Sequence, residues 1–332
     1  MRRGMIGLLT LLSLVQVAPT SAQVQLGYGK DAGQVAFVNP TSHPGWEEPL
    51  PLGPLSFRAT ASDVWVADSC GGKVFRFDLN GKLMQEIRVV QDSSQALWED
   101  IALSRKTDGT VDGFYLFNGS TQEIWRCDLH GKVLAKTGGR GEEKGHFLQG
   151  TLIEIGPSGT QYVADKARRV ISVLAPDGKC RREIDWQWSG FFIDSKENIY
   201  RLHWNDEEKK THLLVQDVQG KQTLDLPLEL PAEHFNPELW TLTSKGNLFV
   251  TYITAKGFEG KLKTAEINRQ GKIVTSAELT PPLVMNRMLC PSNVPGKLWL
   301  AAGDFNHAPK GELKIDLVPY PGTDGTPSPS GK

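Results

Sequence analysis

The sequence predicts an all-β protein, a six-bladed β-propeller whose four-stranded antiparallel blades surround a central channel. The first observation is a polar Gly-Lys turn that recurs five times, at steps of 50, 47, 42 and 51 residues. Its glycines are Gly81, Gly131, Gly178, Gly220 and Gly271. Steps of this length are typical of propeller blades, in which each repeat forms one small sheet.

The second observation is an apolar, strand-like segment that precedes the turns. Three copies end 13 residues before a turn, at Asp68, Asn118 and Asp165. Related apolar runs occupy residues 200–203, 249–252 and 299–302. Period-two apolar runs bounded by turn residues indicate half-buried strands. Six copies of this segment predict six blades.

The turn residues support antiparallel strands joined by hairpins, arranged as a propeller rather than as a β-sandwich. Glycine tolerates the positive φ of a tight hairpin, so each Gly-Lys turn is expected to join two antiparallel strands. Asp68 and Asp165 are interpreted as structural residues that accept backbone N–H bonds in the following turn. A β-sandwich is the competing fold, but it does not predict a repeated four-strand cassette.

Composition and hydrophobic patterning divide the chain into three predicted segments. Residues 1–22 are predicted to be a signal peptide, because Arg2-Arg3 precedes a short apolar core and a small-residue exit ending at Ala22. Residues 23–320 are predicted to form the propeller as a single domain, with residues 33–38 adding a strand that closes the last blade. Residues 321–332, rich in Pro, Gly and Ser, are predicted to be disordered.

The mature protein is therefore expected to be exported, to the periplasm or the extracellular space, and no later apolar run is long enough to span a membrane. A formal net charge of −1 argues against electrostatic binding of nucleic acid over a large basic surface. The basic run at residues 166–169 is interpreted as a solvated blade edge.

The four cysteines, Cys70, Cys127, Cys180 and Cys290, fall in different predicted blades and show no Cys-x-x-Cys spacing. A zinc or redox motif is therefore unsupported, and buried free thiols are the favoured interpretation. Cys127 with Cys180 is the disulfide pair to test first, because their blades are neighbours.

The third predicted blade resembles the repeat of the NHL propeller family. Its matching segments are Gly138–Gly141, Gly145–Phe147, Leu152–Ile155, Tyr162–Asp165 and Arg169–Val170. The later blades are degenerate. The resemblance implies a propeller fold more than a chemistry, since members of the family mostly bind proteins, nucleic acids or small ligands and a minority resemble enzymes.

The sequence favours a binding or interaction module that recognises a protein, small-molecule or glycan ligand at the channel rim. Indole faces stack on sugar rings and other flat apolar surfaces, and Trp is favoured in binding hot spots. Residues that enter the predicted inner strands are expected to converge at that rim. The predicted ligand-binding residues are Trp98, Glu99, Asp100, Trp188, Trp240 and Asn286.

The alternative is a metal-dependent hydrolase, lactonase or lyase that uses acidic and amide residues of the channel. Its ligands would be Asp100, Glu154 and Asn286, an oxygen-rich set for a divalent cation such as calcium or zinc. No catalytic residue is assigned, because Gly-x-Ser-x-Gly is absent and no histidines form a close pair at metal spacing. For the favoured interpretation, a binding module, no cofactor is predicted.

Overall fold

The computed structural model describes residues 23–38, 52–187, 189–243, 245–256, 259–279, 285–303 and 311–320. Within these ranges the chain forms 24 β-strands and a 3₁₀ turn at Ser93–Gln95. The strands make six four-stranded antiparallel sheets, so the predicted six-bladed propeller is confirmed.

Each of the first three blades uses four strands that are consecutive in the chain. Blade 1 contains β2 (Ser56–Ala59), β3 (Asp63–Asp68), β4 (Lys73–Asp78) and β5 (Leu83–Arg88). Blade 2 contains β6 (Trp98–Arg105), β7 (Val111–Asn118), β8 (Glu123–Cys127) and β9 (Val133–Gly138). Blade 3 contains β10 (Gly150–Ile155), β11 (Gln161–Asp165), β12 (Val170–Leu174) and β13 (Cys180–Asp185).

Blades 4 and 5 follow the same plan, whereas blade 6 combines both ends of the propeller. Blade 4 contains β14 (Phe191–Ile193), β15 (Ile199–Asn205), β16 (Lys210–Gln216) and β17 (Gln222–Pro227). Blade 5 contains β18 (His234–Leu242), β19 (Leu248–Lys256), β20 (Glu259–Ile267) and β21 (Ile273–Glu278). Blade 6 contains β22 (Leu289–Pro291), β23 (Lys297–Gly303), β24 (Glu312–Pro319) and β1 (Gln23–Gly27).

The repeated Gly-Lys turns join the third and fourth strands of blades 1 to 5. Their glycines have φ between 80° and 89°, which confirms the predicted hairpins. In blade 1 the backbone N–H of Asp78 donates to the carbonyl of Lys82 at 3.0 Å. The Asp78 carboxylate also accepts the backbone N–H groups of Asn80 and Lys82 at 2.9 Å. In each of the five turns, an Asp or Asn side chain one or three residues before the glycine accepts backbone N–H groups in this way and so folds the turn onto itself.

An N-terminal strand closes the ring, as predicted, but it is not the expected segment. The closing strand is β1, which pairs antiparallel with β24 from Gln23↔Asp316 to Gly27↔Glu312. Its alternating sequence buries Val24 and Leu26. Residues 33–38 make only isolated bridges, so the assignment of the closing strand to them was wrong.

The core lies between neighbouring blades rather than at a single centre. Trp65 of blade 1 packs against Phe114 of blade 2 at 6.0 Å between ring centroids, and Phe117 of blade 2 packs edge-on against Phe147 at 5.4 Å. All four rings are fully buried. Burying side chains of this size stabilises a fold by about 2 kcal/mol each.

Asp68 and Asp165 have the predicted structural role. Asp68 accepts the backbone N–H groups of Ala36 and Gly71 at 3.0 and 2.9 Å. Asp165 accepts four backbone N–H groups within 3.1 Å, those of Leu148, Gln149, Ala167 and Arg168. Each carboxylate ties a turn to the strand beside it.

All four cysteines are free thiols. Cys127 lies in the core between blades 1 and 2, whereas Cys180 packs against the core between blades 2 and 3, so the structure does not form the disulfide suggested for testing. The predicted signal peptide and the predicted disordered tail lie outside the described residues. Within the described ranges, no helix has the length and apolar character needed to cross a membrane.

Candidate functional site

The inner strands of the blades begin at one end of the channel, which we call the channel mouth. A cavity of about 560 Å³ opens there. The lining side chains that matter below are Thr151, Lys166, Asn236, Glu238 and Asn286. They come from blades 3, 5 and 6 or the segments that precede them, so the site exists only when the ring is closed.

β-Bulges shape three of the inner strands at the mouth. The pairing register shifts around Glu99 in β6, around Thr151 in β10, and between Phe235 and Glu238 in β18. A bulge adds one or more unpaired residues and re-aims the side chains beside it. Polar side chains of these strands therefore reach the mouth although their neighbours are core residues.

Glu99 is held at the mouth by Asn286, which precedes β22. The Asn286 amide donates to the Glu99 carboxylate at 2.6 Å and to the Glu99 backbone carbonyl at 3.0 Å. Burial raises the pKa of Glu99, and the Asn286 hydrogen bond and the charge of Lys166 oppose that rise. The structure thus brings together two of the predicted rim residues, Glu99 and Asn286.

Glu238 supplies a second carboxyl group. Burial raises the pKa of Glu238 from an ordinary 4.5 to about 7, and the charge of Lys166 acts in the opposite direction. Lys166 lies in the turn between β11 and β12, where its backbone N–H donates to Gln149 at 2.9 Å. One ammonium group therefore acts on two carboxyl groups, and Glu238 titrates near neutral pH.

Thr151 presents a hydroxyl group that has no hydrogen-bond partner among the described residues, although the side chain is only 5% exposed. Trp186, also in the wall, is 2% exposed and donates its indole N–H to the Gly190 carbonyl at 3.3 Å. Leaving a buried hydroxyl unpaired costs about 1–3 kcal/mol, so a ligand that pairs with Thr151 would recover that free energy.

Below the mouth the channel is crossed by four charged residues, which we call the channel cluster: Arg58, Asp100, Glu154 and Arg287. Arg58 bonds both oxygens of Asp100 at 3.1 Å and approaches Glu154 at 3.4 Å. Arg287 reaches Asp100 at 3.1 Å and Glu154 at 2.8 Å. The cluster joins blades 1, 2, 3 and 6 across the axis.

Asp100 is the centre of this cluster and is fully buried. Besides the two guanidinium groups, it accepts the Ser56 hydroxyl and the backbone N–H groups of Ile101 and Ile153, both at 2.9 Å. Glu154 is less well enclosed, and burial raises its pKa to about 7 although Arg58 opposes the rise. Burial also raises the pKa of Asp100, and Arg58 and the Ser56 hydroxyl oppose that rise. Asp100 is therefore a structural residue of the channel cluster rather than a rim residue.

The predicted metal ligands do not converge. Asp100 and Glu154 face guanidinium groups, whereas the Asn286 amide is directed at Glu99. Among the residues that the structure describes, no group of three His, Cys, Asp or Glu side chains is placed to hold a metal. The residues present do not fit the sequence-derived metal site, because arginines already neutralise its carboxylates.

The tryptophans do not form the expected rim. Trp98 is fully buried and packs edge-on against Trp125 at 5.3 Å, between blades 1 and 2. Trp240 is 6% exposed, packs between blades 5 and 6, and donates to the Thr251 hydroxyl at 2.9 Å. Trp188 lies outside the described residues. The convergence of Trp98 and Trp240 was a wrong expectation, because their faces fill separate inter-blade cores.

Sequence reasoning missed Lys166, Glu238 and the two arginines of the channel cluster. Lys166 was assigned to a solvated basic run. Glu238 was missed because the strand pattern alone does not show where a bulge shifts the register of an inner strand. Pro237 was the available signal, since proline inside a strand is confined to edges, strand starts and bulges.

The fold and this site define a six-bladed β-propeller with a polar channel mouth. The sequence matches no known family, so membership of the NHL family stays a prediction. No curated protein is similar in sequence either.

Similarity is found to solved structures. A member of the DUF4221 family from Bacteroides vulgatus is 9% identical over 89% of this chain and 95% of its own, with a TM-score of 0.51. Virginiamycin B lyase from Staphylococcus aureus is 14% identical over 80% of this chain and 95% of its own, with a TM-score of 0.48. Identities this low show the fold alone.

Proposed function

We propose that the protein is an exported binding module that captures a small hydroxylated amine, such as an amino sugar, in the channel mouth. The single observation that carries this proposal is the mouth itself, where Glu99 and Glu238 face the same opposing cation, Lys166. The proposed location outside the cytoplasm rests on the sequence of residues 1–22.

The charge balance favours a cationic ligand. When both carboxyl groups are ionised, the two glutamates and Lys166 leave one net negative charge in a partly buried cavity. A ligand ammonium near Glu238 would supply the missing positive charge and would lower the pKa of Glu238 from about 7. Binding at pH 7 is then expected to release part of a proton from Glu238.

The polar groups around the carboxylates favour hydroxyl groups on the same ligand. Thr151 offers an unpartnered hydroxyl, and the Asn286 amide already orders the Glu99 carboxylate as an acceptor. The cavity volume of about 560 Å³ lies within the roughly 300–1,000 Å³ range of small-molecule sites. Below the cavity, the channel cluster provides a rigid floor.

Calorimetry of residues 23–332 with glucosamine, and with glucose as the neutral match, tests the proposal. Titration at pH 7 in buffers of different ionisation enthalpy reports the protons released on binding. We expect glucosamine to bind with proton release, and Glu238→Gln to abolish that release and weaken binding about tenfold or more. Glu233→Gln, at an exposed position nearby, is the matched control.

Binding of glucosamine that is unchanged in Glu238→Gln would contradict the assignment of the site. Equal binding of glucose and glucosamine would contradict the cationic ligand.

A hydrolase or lyase that works in the mouth is the second candidate. The observation that favours it is the pKa of Glu238 near 7, because a carboxyl group that titrates at the operating pH is suited to general acid–base catalysis. The metal-dependent form is disfavoured by the arginines that face Asp100 and Glu154, and elemental analysis of protein purified without chelator is its test. About one calcium or zinc per chain, lost in Asn286→Ala, would favour the enzyme over the binding module.

A further inference from the structure

We propose that a second pocket, between blades 4 and 5 on the same face as the mouth, binds a ring of a neutral oligosaccharide. The pocket has a volume of about 430 Å³. It is lined by Gln187, Trp204, Thr211, His234, Phe235 and Asn236. This site lies beside the mouth, so the inference goes beyond the proposed function.

Two aromatic side chains of this pocket face solvent. Trp204 is 37% exposed and Phe235 is 53% exposed, whereas the other large aromatic rings among the described residues are mostly buried. Phe235 lies in an inner strand, where aromatic side chains are ordinarily buried. Exposed aromatic faces at a cavity are typical of binding surfaces rather than of cores.

The Trp204 ring is fixed in place before any ligand arrives. Its indole N–H donates to Asp206 at 3.1 Å, and its backbone N–H donates to the Gln187 side chain at 2.6 Å. Its ring centroid lies 5.9 Å from the His234 ring. A preorganised ring binds a ligand without the loss of side-chain entropy that a mobile one would incur.

His234 is in turn held as a wall of the pocket. Its Nδ1 donates to the Pro231 carbonyl at 2.7 Å, and its Nε2 is hydrogen-bonded to the Thr211 hydroxyl at 2.7 Å. On its other side, Tyr252 packs edge-on with centroids 6.5 Å apart. These contacts make His234 a packed support for Trp204.

One bulge shapes both the pocket and the mouth. Asn236 has φ of 46° and Pro237 follows it, so the pairing of β18 shifts register between Phe235 and Glu238. This shift leaves Phe235 at the pocket while Glu238 lines the mouth. Asn236 lines both cavities, which makes them neighbouring parts of one face.

The chemistry of the pocket matches a sugar ring. A pyranose with equatorial substituents has flat C–H faces, which stack on aromatic rings, and a polar edge of hydroxyl groups. Trp204 and Phe235 offer the flat surfaces, and Gln187 and Asn236, whose side chains carry amide groups, line the same pocket. No charged side chain is among the pocket-lining residues that the structure describes, which favours a neutral ligand over an ionic one.

Calorimetric titration of residues 23–332 with cellotetraose and with the N-acetylglucosamine tetramer tests the inference. We expect at least one of the two to bind, and Trp204→Ala and Phe235→Ala each to weaken its binding about tenfold. Trp204→Phe should retain most of the affinity, because a stacking face remains. Val218→Ala, at an exposed apolar side chain of the β16–β17 turn, is the control and should change nothing.

The same titrations separate this site from the mouth. Glu238→Gln should leave binding of the neutral oligosaccharide within about twofold, whereas it should weaken glucosamine. Failure of both tetramers to bind at millimolar concentration, or binding that Trp204→Ala leaves unchanged, would overturn the inference. Loss of tetramer binding in Glu238→Gln but not in Trp204→Ala would also overturn it, because the ligand would then occupy the mouth.

Discussion

Glu99 and Asp100 are adjacent in the chain, yet they belong to two regions with opposite electrostatics. Asp100 lies in the channel cluster, where two guanidinium groups, a hydroxyl and two backbone N–H groups surround it. Glu99 lies in the channel mouth with Glu238, where a single amide and Lys166 are the opposing groups. Both regions are largely buried, but only the channel cluster neutralises its carboxylates.

This difference separates a structural site from a candidate binding site. A buried carboxylate with matched cations stabilises the closed ring, whereas one without enough cations destabilises it until a ligand supplies the charge. Replacing Asp100 and Glu238 by their amides should therefore change the free energy of unfolding in opposite directions.

The largest effect is expected in the channel cluster. Asp100→Asn leaves two buried guanidinium groups without their main counter-charge, so the free energy of unfolding should fall by about 3–5 kcal/mol. Urea unfolding at pH 7 measures this fall in the free energy of unfolding. Asp108→Asn, at an exposed aspartate of the β6–β7 turn, should show no measurable change. A loss from Asp100→Asn as small as that of Asp108→Asn would mean that the cluster does not hold the blades together.

The opposite sign is expected in the mouth. At pH 8 the Glu238 carboxylate is ionised in a cavity that raises its pKa to about 7, so it opposes folding. Glu238→Gln removes that opposition and should raise the free energy of unfolding at pH 8 by about 2 kcal/mol. Glu233→Gln is again the control. Thermal unfolding at one scan rate gives an independent measurement of the change in stability.

The pH dependence of stability sharpens the same contrast. The folded protein holds the Glu238 proton more tightly than the unfolded chain does, because the pKa rises from 4.5 to about 7. The contribution of Glu238 to the free energy of unfolding is therefore fully present below about pH 4.5 and is lost as the pH rises to about 7. Glu154 and Asp68, with pKa values raised to about 7 and 6, act in the same direction.

Wild-type protein should accordingly be less stable at pH 8 than at pH 5 in urea titrations, and Glu238→Gln should have a shallower slope. A wild-type stability that rises steadily across this range would show that the mouth carboxyl groups keep ordinary pKa values.

The smallest effect concerns the unpartnered hydroxyl of Thr151. Thr151→Val keeps the shape of the side chain and removes a buried hydroxyl that lacks a partner among the described residues. We expect a gain of about 1 kcal/mol in the free energy of unfolding and a loss of affinity for glucosamine. A clear loss of stability would show that the hydroxyl has a partner in solution, such as an ordered water.

The sequence predicted the blades because their signals are local. A glycine that needs positive φ, as Gly81 does, and a period-two strand, as at Asp63–Asp68, are both visible within about ten residues. The closing strand was misplaced although Gln23–Gly27 carries the same alternation, because an apolar run at residues 33–38 competed with it.

The candidate site was only half predictable, because its contacts are remote in sequence. Glu99 and Asn286 were identified by their place at the start of inner strands, and the structure joins them across 187 positions. Nothing in the sequence shows that Arg58 and Arg287 meet at Asp100, or that the Asn236 bulge directs Glu238 into the mouth. Burial and register decide these roles, and both are properties of the closed ring.

The most direct test of this account compares Asp100→Asn and Glu238→Gln by urea unfolding at pH 8, side by side with the wild-type protein. The account predicts changes of opposite sign, a large loss of stability for Asp100→Asn and a gain for Glu238→Gln. A loss of stability in both variants would contradict it, because the mouth would then be a second structural charge cluster rather than a site that awaits a ligand.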